Sequence, residues 1–63
     1  MEAAYGRAVA MARSGRLEEA ERELRRLLQE SPGDPRIRMS LGNTLLNRGD
    51  HGGAAREFEA VAA

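Results

Sequence analysis

Apolar residues recur along the chain at helical spacing, and turn signals cut that pattern into four segments. The first is a helix over Glu2 to Arg13, closed by Ser14-Gly15-Arg16. The second runs from Leu17 to Glu30, with Leu17, Ala20, Leu24, Leu27 and Leu28 on one face. Its other face is charged, and Glu18/Arg22, Glu21/Arg25 and Arg26/Glu30 are opposite-sign pairs one turn apart. Ser31-Pro32-Gly33-Asp34 is the strongest break. The third helix starts with Asp34 as N-cap and Pro35 in the first helical position, and its stripe is Ile37, Met39, Leu41, Leu45 and Leu46. After Arg48-Gly49-Asp50 a fourth helix runs from about Gly52 to the end, with Ala54, Phe58 and Val61 on its buried side. No segment alternates with the period of a strand, and β-branched residues are scarce.

A shift of 34 positions superimposes the turns: Gly15 falls on Gly49, Ala20 on Ala54, Arg22 on Arg56 and Glu23 on Glu57, while Leu24 meets Phe58 and Leu27 meets Val61. Two helices per period is the signature of a stacked helical repeat. Ala20 and Ala54 are expected where helices approach closely, and Leu24 and Phe58 between the helices of each hairpin. Gly15 and Gly49 are expected to end a helix with positive φ and turn the chain back.

On these residues the chain resembles the tetratricopeptide repeat family. The second unit carries Leu41-Gly42, Leu45, Gly49, Ala54 and Phe58, and the first carries Ala8, Gly15, Ala20, Leu24, Leu27 and the closing Pro32. Arg38 stands where the family often has Trp, Arg7 where it prefers Leu, and His51 where Tyr is common. The resemblance implies an all-α fold of two stacked antiparallel hairpins, residues 1–34 and 35–63, the second truncated. It also implies a concave groove, made by the first helix of each hairpin, that binds a peptide or helix of a protein partner. Carried over by position, the groove comprises Tyr5, Val9, Ala12 and Arg13 with Arg36, Met39, Asn43, Leu46 and Asn47. Tyr5 and Met39 stand where a clamp for a chaperone's terminal carboxylate would want Lys. Met39 and Leu46 have a plainer reading too, as packing between helices, and that reading is favoured because apolar helical residues usually are core.

Composition narrows the function classes. The chain has 63 residues, ten Arg and no Lys against ten acidic residues, hence a formal net charge of zero. That balance argues against a dedicated nucleic-acid or acidic-lipid binder, and no helix has the basic face of a helix-turn-helix reader. Without Cys there is no disulfide framework and no thiolate metal site. No apolar run has the length of a membrane span and no signal peptide is visible, which points to a cytoplasmic location. Asp50 and His51 are too few for a metal site, Gly52-Gly53 lacks the rest of a phosphate loop, and no serine has a base beside it. The expectation is a non-enzymatic module without cofactor. Only fifteen of the apolar residues are larger than Ala, so a lone chain should be marginal. Uncovered Phe58, Val61 and Leu45 or Leu46 at the unfinished C-terminal end are expected to drive self-association, most simply as a two-fold homodimer.

Overall fold

The computed structural model describes residues 2–62, with side chains from Ala3 onward. Four helices follow one another: α1 (Glu2–Arg13), α2 (Leu17–Glu30), α3 (Pro35–Arg48) and α4 (His51–Ala62). No strand occurs among the described residues. The chain is all-α, with α1 and α2 forming one antiparallel hairpin and α3 and α4 the next. The second helix packs against both α1 and α3, α4 packs on α3, and α1 meets α3 along a narrow seam.

The turns work through local chemistry. Gly15 and Gly49 have φ of 89° and 90°, a region that costs any residue with a Cβ. At Gly49 the turn also closes the helix, since the Gly49 N–H donates to Leu46 O and the Asp50 N–H to Leu45 O. The N-cap of α3 is as expected, with Asp34 Oδ1 accepting from the Arg36 N–H at 2.9 Å. The fourth helix starts one residue before the expected Gly52. Asp50 is its cap, and its Oδ1 accepts from the Gly53 N–H at 2.9 Å. A Cβ on Gly53 would lie 2.5 Å from Asp50 Oδ2, so this glycine makes room for the capping carboxylate.

The core is one cluster of Ala8, Leu24, Leu27, Ile37, Leu41, Leu45 and Ala54, with Ala4, Tyr5, Leu28 and Phe58 packed against it. Ala20 and Ala54 are buried, as the repeat pattern requires. Phe58 and Val61 are only half-buried, less than expected, because α4 has a neighbour on one side only. Phe58 lies across Gly42, where a Cβ would come within 2.5 Å of the ring. The packing favoured for Met39 and Leu46 is not what forms: they are 44% and 40% exposed. Ile37, Leu41 and Leu45 face the core, and at 3.6 residues per turn Met39 and Leu46 lie about 140–160° round the helix from Leu41.

Charges tie the helices together. Arg38, in a position where the family often has Trp, is half-buried; its Nη1 donates to Glu57 Oε1 on α4 at 3.0 Å and its Nη2 to Pro32 O at 3.4 Å. Arg48 reaches from α3 to α2, pairing with Glu21 and, at 3.3 Å, with Glu18. Glu18 thus pairs across helices rather than with Arg22. Burial pushes the Glu21 carboxyl up, but hydrogen bonds from Arg48 and Arg25 outweigh it and hold the group below its ordinary 4.5.

Two outcomes follow. In a helix interior Gly→Ala gains about 1 kcal/mol of propensity, while crowding a packed ring costs about 1–3 kcal/mol. Gly42→Ala should therefore lose about 1 kcal/mol by urea unfolding. In a Phe58→Ala background the same change should become stabilising, which it would not if Phe58 were not the obstacle. For Glu21 the folded state holds the carboxylate ionised to lower pH than the unfolded chain does. Its contribution is complete above about the ordinary carboxylate range and disappears as pH falls through the lowered folded value. The fall in melting temperature between neutral and strongly acidic pH should be smaller in Glu21→Gln than in the parent.

Candidate functional site

The helices α1 and α3 run in the same direction, because each is followed by an antiparallel partner. Between them lies an open cleft of about 340 Å³, lined by Tyr5, Val9, Ala12 and Arg13 from α1, by Ser40, Asn43, Thr44 and Asn47 from α3, and by Leu24 from α2. Six of the nine residues expected in the groove therefore meet around one cavity. The other three do not line it. Arg36 sits above the Tyr5 ring, its guanidinium carbon 5.3 Å from the centroid, and also pairs with Asp34 at 3.1 Å. Met39 and Leu46 stand on the strip of α3 turned away from both the core and α1.

Sequence reasoning missed Leu24, Ser40 and Thr44. The expected strip on α3 was Arg36, Met39, Asn43, Leu46 and Asn47, whereas the wall facing α1 is Ser40, Asn43, Thr44 and Asn47. The two strips share Asn43 and Asn47 and differ by a turn of about 60° round the helix toward α1, and the i, i+4, i+7 spacing of Ser40, Thr44 and Asn47 was available in the sequence. Leu24 reaches the cleft because α2 closes the bottom of the channel between α1 and α3.

A polar strut joins α1 to α3 at the Tyr5 end of the cleft. The Tyr5 hydroxyl is 2.8 Å from Ser40 Oγ and 3.4 Å from Arg36 O, to which it donates. Thr44, buried beside it, donates from Oγ1 to Ser40 O at 2.8 Å. These bonds leave the wall without an unsatisfied buried side-chain polar atom among the described residues. Toward the C-terminal ends of α1 and α3, Asn43, Asn47 and Arg13 are exposed. The cleft has an apolar floor of Val9 and Ala12, with the buried Leu24 directly beneath, and a polar rim. That arrangement can accept a side chain and orient a backbone, and it holds no grouping of nucleophile and base. Among the described residues no group of three or more His, Cys, Asp or Glu is placed to hold a metal ion, and no helix is long and apolar enough to cross a membrane.

Since α1 and α3 touch only along a seam, the Tyr5 hydroxyl carries an unusual share of that contact. Tyr5→Phe should cost about 1 kcal/mol, the net worth of one hydrogen bond, read by urea unfolding. An unchanged midpoint would mean that the hydroxyl does not brace the two hairpins.

The comparisons with known proteins agree with this architecture. No curated protein and no solved structure gives a significant match. A family model described as tetratricopeptide repeat matches residues 11–63, which takes in the end of α1 and all of α2, α3 and α4. The chain belongs to the tetratricopeptide repeat family.

Proposed function

We propose that residues 1–34 and 35–63 act together as a non-catalytic protein-interaction module, with a peptide or helix of a protein partner lying in the cleft between α1 and α3. Proteins of this family serve as interaction scaffolds, and that supports a protein partner in general terms. The observation that carries the specific reading is the cleft itself, an apolar floor under a polar rim, with the exposed Met39 and Leu46 on the outer strip of α3. Exposed Met offers an adaptable contact and Tyr a broad one with a polar tip. An apolar side chain of the partner fits the floor, and its backbone can take hydrogen bonds from Asn43 and Asn47.

One observation favours a second reading, self-association as a two-fold homodimer. In α2 the residues Leu24 and Leu27 are buried under α3, whereas their repeat counterparts Phe58 and Val61 in α4 are half-buried. A second copy placed on α4 would complete that burial.

A photoreactive amino acid placed at position 43, 58 or 22 separates the two readings in extract of the source cell. Cross-linking to another protein from position 43, with none from position 22 on the charged face of α2, is the expected result. Products confined to a dimer of the chain itself from position 58 would favour self-association. Equal yields from positions 43 and 22 would remove the groove reading.

A further inference from the structure

We infer that the cleft selects a partner segment that places a carboxylate side chain at its Arg13 end, one turn or so from an apolar side chain resting on Val9 and Ala12. This rests on the groove reading above and adds the chemistry of the ligand.

Three observations carry it. First, Arg13 is the only charged residue lining the cleft. Unlike Arg25, Arg26, Arg36, Arg38 and Arg48, it has no carboxylate within ion-pair distance among the described residues. Second, the side chains of Asn43 and Asn47, on the opposite wall, make no hydrogen bond among the described residues. Each offers two N–H donors, and Arg13 offers five. Third, the partial negative charge that helix C-termini bring to this end is partly taken up. The Ser14 and Arg16 N–H groups donate to Ala10 and Met11 O at the end of α1, and those of Gly49 and Asp50 to Leu46 and Leu45 O at the end of α3. The full charge of Arg13 therefore dominates over what remains of the fractional charges at the helix ends. A guanidinium and two amides facing one another across a cleft form a receptor for a carboxylate, and the charge-assisted bond is the strongest that this set can make. A basic segment would meet Arg13 as a like charge.

The other end of the cleft makes no comparable offer. Arg36 is engaged by Asp34 and by the Tyr5 ring, and the Tyr5 hydroxyl by Ser40. The acid is therefore expected at the Arg13 end, which fixes the direction in which the segment lies.

The test uses short Ala/Gln-based helical peptides that carry one Leu and, one turn away, Asp, Asn or Lys. Binding is followed by fluorescence polarisation and by amide shifts of the isotope-labelled protein. The Asp peptide should bind about tenfold more tightly than the Asn peptide, as expected for one charge-assisted contact in place of a neutral one. It should weaken with added salt and shift the amides of Val9 and Asn43. Arg13→Gln should remove the preference and Arg13→Glu should reverse it in favour of Lys; Arg13 is exposed, so melting curves of both variants should stay close to the parent. Equal binding of all three peptides, with Val9 and Asn43 still shifted, would overturn the acid preference and leave the groove reading standing. Shifts confined to α4, or none in the cleft with any peptide, would overturn both.

Discussion

Leu24 has no exposed surface, and neither has Ala20 one turn before it, because α2 is wedged between α1 and α3. A helix covered on two sides must be small where its neighbours come closest and large where they diverge. Ala20 meets the first demand, and Leu24 and Leu27 the second. Everything else follows from that wedge. It keeps the two hairpins at a fixed offset, holds α1 and α3 parallel but barely touching, and leaves between them a channel that runs above the buried Leu24. Interiors packed at crystal-like density transmit such constraints, since neither larger nor smaller side chains fit without displacement.

The same demand returns in the second hairpin in a different form. There the small residue is Gly42, and Phe58 lies across it. The Gly42–Phe58 contact brings α4 close against α3, its neighbour on one side. Arg38 contributes as well: its stem is half-buried, and its head pairs with Glu57 and the carbonyl of Pro32. A position where relatives of this type often carry an aromatic ring is thus filled by a long side chain whose charge is matched on arrival. Long arginines commonly cover apolar surface in this way while keeping their charged head paired or wet.

The charges divide into those that hold the fold and those that face outward. Arg48 with Glu21 and Glu18, Arg38 with Glu57, and Arg36 with Asp34 are committed within the molecule. Arg13 is not, and it stands on the rim of the cleft. In a chain with a net charge of zero, this distribution gives the cleft its polarity, since a balanced total places no constraint on where an unpaired charge sits.

Much of the architecture was legible in the sequence because it rests on local chemistry and on spacing. Gly15 and Gly49 announce turns that need positive φ, Asp34-Pro35 announces a helix start, and the 34-residue recurrence of Ala20 on Ala54 announces two like hairpins. The helix bounds followed from these signals, apart from the start of α4, where the Asp50 cap lies outside the apolar period and so left no trace in it. Six of the nine expected positions line the cleft between α1 and α3, because helical spacing alone decides which residues share a face. Tertiary structure decided the rest. Periodicity fixes the angle between two side chains on one helix but not the rotation of that helix against its neighbours. Only the packing of α3 on α2 and α4 could show that Ser40 and Thr44 turn toward α1 while Met39 and Leu46 turn to solvent, and only the wedge of α2 could bring Leu24 beneath a cleft between two other helices.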